Sequence, residues 1–136
     1  MVDADILRHK TEQVLHHCDR LARRSDLPAA QLAADEDLCN AVLMDLQQAI
    51  QACIDLAAHA CVDDRLGAPT TPAEALALLA RHRMIDDALA RRLTGAAGLR
   101  NLIVHQYGRI DLERIVEIIR NDLDDLRRFV AALRRS

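Results

Sequence analysis

Leu38 to His59 reads LCNAVLMDLQQAIQACIDLAAH, and within it Cys39, Val42, Leu43, Leu46, Ala49, Ile50, Cys53, Ile54 and Ala57 recur at i, i+3, i+4 and i+7. That period sets all of them on one face of an α-helix, whereas a strand would need strict alternation. One long helix from about 35 to 63 is predicted. Its continuous apolar face has to be buried against other helices, so this stretch decides the fold class, which is all-α. Asp35-Glu36-Asp37 places negative charge at the helix start, where the macrodipole favours it, and the segment from Gly67 to Pro72 ends the element.

The same period continues on both sides. Ile6, Leu7, Val14, Cys18 and Leu21 mark a first helix over 3–24. Ser25-Asp26-Leu27-Pro28 interrupts it, because the residue before proline is pushed out of the helical conformation. Thr71-Pro72 followed by Glu74 is a helix start, with Thr71 as N-cap and Pro72 at the first helical position. A short helix to about His82 and a second from Met84 to Leu93 are expected, and Gly95 with Gly98 then allows a turn before the next helix. Beyond Gly108, Asp111 is placed to cap a last helix, on which Leu112, Ile115, Val116, Ile119, Leu126, Val130 and Leu133 make a continuous apolar face. No strand candidate and no internal repeat interrupts this pattern. The expectation is a single domain over 1–136, an antiparallel bundle of about four to five helices.

Composition agrees. With 51% hydrophobic residues, four Gly and three Pro, the chain of 136 residues reads as ordered and helical. A net charge of −3 excludes a protein that holds long nucleic acids by overall attraction, so any RNA contact has to be local. Lys10 is the only lysine; the cations are arginines, paired at Arg23-Arg24, Arg91-Arg92, Arg127-Arg128 and Arg134-Arg135. Solvated faces and helix C-termini account for most such clusters. Cys18, Cys39, Cys53 and Cys61 lack the close pairs of a zinc site and the setting of a disulfide scaffold, and read as small apolar core residues. No apolar run approaches a membrane span, so a cytoplasmic protein without a membrane contact is expected.

The chemistry concentrates in Arg100-Asn101-Leu102-Ile103-Val104-His105-Gln106-Tyr107. Arg presents a permanently charged fork that matches phosphate oxygens, and His both takes and gives a proton near neutral pH. Tyr107 is the only tyrosine and Phe129 the only other aromatic, so this phenol is not drawn from a surplus of core aromatics. His9, His16, His17, His59 and His82 show no partner pattern, and none of their spacings matches a metal-binding helix motif. Neither a metal nor a cofactor is called for.

Arg-x4-His-x-Tyr resembles the signature of the HEPN superfamily, and its surroundings resemble the HepT branch, the toxin half of HEPN/MNT toxin–antitoxin pairs. Leu38 to His59 is similar to that branch's long second helix, and Pro72 to Leu93 to the helical pair after it. Gly98-Leu99-Arg100-Asn101 then leads into the signature. The resemblance covers roughly residues 38 to 130. It implies a two-fold homodimer whose site forms between paired domains, with Arg100 and His105 catalytic and Asn101 and Tyr107 supporting. It also implies a cognate minimal nucleotidyltransferase antitoxin that silences the toxin by transferring AMP to Tyr107.

Helical geometry tests how such a site would be built. At about 100° per residue with Leu99 at zero, Leu102, Ile103, Gln106 and Ile110 fall within about 60° and are expected to form the buried stripe. Arg100 and Tyr107 then lie near 80–100° and Asn101 and His105 near 200–240°, so the polar motif is expected to point away from its own core. Arg100 and His105 are about 140° apart and do not converge on one phosphate. Either the helix breaks near His105, or a second copy supplies the missing group. The second is the favoured reading, with Val104 buried at the contact and Asn101 orienting the His105 imidazole one turn away.

RNA bound in such a cleft can be cut without a metal. A base takes the ribose 2′-hydroxyl proton, the oxygen attacks phosphorus, an acid protonates the leaving 5′-oxygen, and cations neutralise the developing charge. His105 suits the proton transfers and Arg100 the phosphate. Tyr107, with an ordinary pKa near 10, suits hydrogen bonding. Whether the RNA is tRNA or mRNA is not written in the chain. A different class of function stays open at this point: a non-catalytic helical module that binds a nucleotide or a nucleotidyltransferase, including as the antitoxin of the pair.

Overall fold

The structure, a computed structural model, describes residues 3–135, leaving aside the Tyr107 side chain. They form seven α-helices and one 3-10 turn: α1 Ala4–Ala22, α2 Ala29–Ala34, α3 Glu36–Asp63, α4 Pro72–Arg81, α5 Asp87–His105, the 3-10 turn Tyr107–Arg109, α6 Leu112–Asn121 and α7 Leu123–Arg135. The all-α class stands, with no strand among the described residues. More helices form than the four to five expected. One reason is that the chain resumes helix straight after Pro28, where Ala29 and Leu32 are buried; another is that the last helix is cut at Asp122.

Helix starts are set by the side chains that cap them. Asp3, Asp35, Thr71, Asp86 and Asp111 each accept a hydrogen bond from an amide of the first helical turn. Each such cap contributes about 1 kcal/mol by satisfying a donor that the helix cannot. Glu74 Oε2 also accepts from the Thr70 amide at 2.7 Å, and these bonds hold its carboxyl below the usual carboxylate range.

One pairing organises the bundle. Asp63 Oδ2 accepts from the Asp3 amide, Lys10 Nζ donates to Asp55 at 3.0 Å, and His17 Nδ1 meets Asp45 at 2.8 Å. The falling partner numbers show that α1 and α3 run antiparallel. α5 and α7 do likewise, through Arg128–Asp86 at 3.6 Å and Arg92–Asp125 at 3.0 Å. One hydrophobic cluster joins all seven helices, with Leu21, Leu46, Leu56, Leu79, Ile115 and Phe129 fully buried. The four cysteines are buried and form no disulfide among the described residues, as expected of core residues. Ile6 and Leu7, placed on the α1 stripe by period, are only half-buried.

Candidate active site

Gly95 and Gly98 do not turn the chain. α5 runs unbroken from Asp87 to His105, so the short helix expected to end at Leu93 and the helix carrying the signature are one element. Each glycine costs about 1 kcal/mol against alanine in a helix interior. Burial of Leu89, Leu93, Ala97, Leu99 and Ile103 along the same element outweighs that cost. The helix stops at His105, where Gln106 leaves helical geometry at φ −135°, ψ 46° and its amide closes the last turn on the Leu102 carbonyl at 2.8 Å.

The break therefore falls after His105 and moves only the residues from Gln106 onward. Arg100 and His105 stay on one regular helix, about 140° apart around the axis and about 7.5 Å along it. The helix is, however, rolled relative to the expected stripe. With Leu99 at zero, the buried residues Leu89, Leu93, Ala97 and Ile103 lie near 80°, 120°, 160° and 40°, which centres the buried arc near 80°. Arg100, near 100°, falls inside that arc and is half-buried, instead of pointing away from the core. Leu102 and Gln106, expected inside, are exposed, Leu102 at 41%. The outward arc, from about 200° to 320°, holds Gly95, Gly98, Asn101, Leu102 and His105; Val104, near 140°, falls on the core side and is nonetheless 40% exposed.

Arg100 is held in an unusual way. Its Nη1 donates to Asn101 Oδ1 at 3.2 Å, while its Nε is shut away from water without a hydrogen-bond partner. A buried N–H with no acceptor costs roughly 1–3 kcal/mol. Asn101, expected to orient His105, instead places its carbonyl oxygen on Arg100. His105 is exposed at the helix end. The Tyr107 backbone opens the 3-10 turn, and the expectation for its phenol lies outside the described residues.

A second polar cluster escaped the sequence. Asp45 is 4% exposed, and its carboxylate takes His17 Nδ1 at 2.8 Å, Arg20 Nε at 2.9 Å and Arg24 Nη1 at 4.0 Å. His17, which had no partner by pattern, has one across the α1–α3 seam. The available signal was Asp45 itself, three residues after Val42 and four before Ala49 and so on the apolar stripe. A carboxylate there has to be paired. The arginine doublets are mostly surface pairs as anticipated, with Arg127 on Asp19 at 3.3 Å and Arg92 on Asp125.

Comparison with known proteins agrees with this geometry. A family described as Ribonuclease HepT-like matches residues 14–133. The mRNA nuclease HepT of Shewanella oneidensis is 31% identical over 105 residues, which cover 77% of this chain and 79% of that protein. The tri-AMPylated HEPN toxin of Shewanella oneidensis, solved in complex with its MNT antitoxin, superposes with a TM-score of 0.89 at 28% identity, covering 98% of this chain and 100% of that one. YutE of Bacillus subtilis, a cytosolic protein of unknown function, superposes at 0.76 with 17% identity over 98% and 90% of the two chains, a likeness of fold alone.

Proposed function

The chain belongs to the Ribonuclease HepT-like family, and from that premise we propose that it is the endoribonuclease toxin of a HEPN/MNT pair, one HepT-like domain over 1–136 working in the cytoplasm. Its site forms between two copies, where Arg100 and His105 of both line one cleft. The observation that carries this reading is the split of the motif. Arg100 sits on the core side of α5 with a buried, unpartnered Nε, and His105 sits on the outward side next to the exposed aliphatics Leu102 and Val104. One copy does not bring both groups to one phosphate. A two-fold contact that packs the last turns of α5 of two copies together covers both aliphatics and brings a second Arg100 and His105 to the same cleft.

In that cleft His105 of one copy takes the 2′-hydroxyl proton, the 2′-oxygen attacks the adjacent phosphorus, and His105 of the other protonates the departing 5′-oxygen. The products are a 2′,3′-cyclic phosphate and a free 5′-hydroxyl. Arg100, fixed by Asn101, neutralises the charge that builds on the phosphoryl oxygens. Cations and proton carriers suffice for this reaction, so it proceeds without a metal.

Tyr107 is the point of control. The relative solved with its MNT antitoxin is AMPylated, and the only tyrosine of this chain comes two residues after His105. AMP transfer by a cognate nucleotidyltransferase antitoxin adds negative charge and bulk where an RNA phosphate has to approach Arg100.

The deciding experiment is cleavage of end-labelled RNA, tRNA and mRNA in parallel, in the presence of a chelator. Wild type, His105→Ala and Arg100→Ala are compared, each checked for folding and dimerisation. Cyclic-phosphate ends from the wild type, lost in both variants, are expected. No cleavage by a chain free of Tyr107 modification overturns the reading and leaves the non-catalytic binding module.

A further inference from the structure

A cleft of about 700 Å³ opens at the start of α5, between the α4–α5 connection and the last turns of α7. It lies far from the signature: α5 has 19 residues from Asp87 to His105, whose successive rises set it about 27 Å along the helix axis from His105. Its charged lining is Arg81, Arg83, Asp86, Asp87, Arg128 and Arg135. Asp86 is already engaged, since it caps α5 through the Leu89 amide at 2.7 Å and meets Arg128 at 3.6 Å. Among the described residues no carboxylate lies within ion-pair distance of Arg81, Arg83 or Arg135. The cleft is thus a local excess of guanidinium on a chain whose net charge is −3.

Helix ends alone would account for Arg81 and Arg135, which stand in the last turns of α4 and α7. They do not account for Arg83. It occupies the left-handed region at φ 62°. Its amide bonds to the Ala80 carbonyl at 3.0 Å and that of Met84 to the Leu79 carbonyl at 2.9 Å, the C-terminal helix stop in which this position is normally glycine. A residue with a Cβ is strained there; Arg65, at φ 56° after α3, makes the same stop, so what sets Arg83 apart is its place in the cleft lining. The dipole of α4 is already served by Arg81, so the strained position adds only a guanidinium aimed at the cleft.

We propose that this cleft binds the phosphate backbone of the RNA substrate, as a second anchoring site remote from the scissile bond. The inference rests on the ribonuclease reading for the identity of the RNA. Unpaired guanidinium forks in a concave, charged cleft match phosphate oxygens. An RNA that spans both ends of α5 is held at the cleft and cut at the motif, so short and long substrates are distinguished by the anchor alone. An acidic protein surface is the competing occupant. Asp86 and Asp87 repel either anion alike; RNA is favoured because its phosphates repeat along a strand long enough to run from the motif to the cleft, about 27 Å along α5.

The test uses the full-length chain as Arg81→Ser/Arg135→Ser and, separately, Arg83→Gly. Cleavage is measured on an oligonucleotide too short to span 27 Å and on a long RNA, alongside direct binding of the long RNA as a function of salt. The double variant is expected to bind long RNA about tenfold more weakly, with a salt slope shallower by about 1.4 for two lost phosphate contacts, while kcat/KM on the short substrate is unchanged. Arg83→Gly is expected to melt higher and yet bind long RNA more weakly, opposite signs that a merely structural Arg83 would not produce. Unchanged binding of long RNA in both variants overturns the proposal. So does unchanged RNA binding with weakened affinity for the nucleotidyltransferase partner, which would make the cleft a protein contact. If the wild type binds long RNA through the cleft but cuts nothing, the ribonuclease reading fails and the anchor stands.

Discussion

Arg100 and His105 lie five residues apart on an unbroken helix, with Arg100 rolled toward the core and His105 toward solvent. They are roughly 140° apart around the axis, which is why the proposed site draws on two chains. The consequence is testable by complementation. Arg100→Ala and His105→Ala homodimers are each expected to lose about 10²–10⁴ in cleavage rate. Mixed dimers of the two keep one Arg100 and one of the two His105 proton carriers in the shared cleft, and are expected to cut faster than the His105→Ala homodimer but well below wild type. A co-purified mixed dimer no faster than the His105→Ala homodimer overturns the shared cleft.

Val104 is 40% exposed and Leu102 41%, on either side of His105. Val104→Asp is expected to cost the isolated fold about 1 kcal/mol, since it trades a side chain already 40% exposed for an anion at the negative end of the α5 dipole. Sedimentation should nevertheless show monomers, and cleavage should fall with the dimer. A variant that stays dimeric would move the interface elsewhere.

Tyr107→Phe separates catalysis from control. The hydroxyl has no proton-transfer role when the two His105 side chains divide the acid and base steps, so the variant should cut RNA at a rate within about tenfold of wild type. It should also resist neutralisation by the antitoxin, because the oxygen proposed to accept AMP is gone. Mass spectrometry of wild type and variant co-expressed with the partner reads the outcome directly.

Asp45 ties α1 to α3 through His17, Arg20 and Arg24 at a position 4% exposed. Asp45→Ala strands those cations at a buried seam and is expected to destabilise the fold by about 2–3 kcal/mol, less than a fully buried pair would lose because Arg20 reaches water. Thermal unfolding followed by circular dichroism measures it. A loss below about 1 kcal/mol would mean that the cluster is hydrated and marginal.

Burial pushes the Cys18 thiol up from 9.0 to about 11 and raises those of Cys53 and Cys61. A thiol that holds its proton more tightly when folded carries stability that is whole below about pH 9. That stability is lost as pH rises toward about 11, where the folded thiol also ionises. About 2–3 kcal/mol should disappear across that window from Cys18 alone. Cys18→Ala, paired with wild type in denaturant titrations at pH 8 and pH 10.5, isolates the contribution. At pH 8 the folded protein should also react slowly with thiol reagents and release all four cysteines only on unfolding.

What was legible in the chain was local. The α3 stripe from Cys39 to Ala57, the Thr71 and Asp111 caps, the Pro28 interruption and the Arg-x4-His-x-Tyr spacing all depend on neighbours within a turn or two, which is the range over which period and capping act. Those features by themselves determined an all-α bundle and singled out Arg100, Asn101, His105 and Tyr107. The remainder was decided by contacts distant in sequence. Whether Gly95 and Gly98 end a helix depended on Leu93 and Leu99 finding a core deep enough to offset two glycines. The roll of α5, which half-buries Arg100 and exposes Leu102, was set by how α3, α4 and α7 cover it, and period alone leaves that angle free by tens of degrees. Asp45 became a partner for His17 only when α1 and α3 packed antiparallel, because burial of a charge demands a counter-charge from whichever helix arrives beside it.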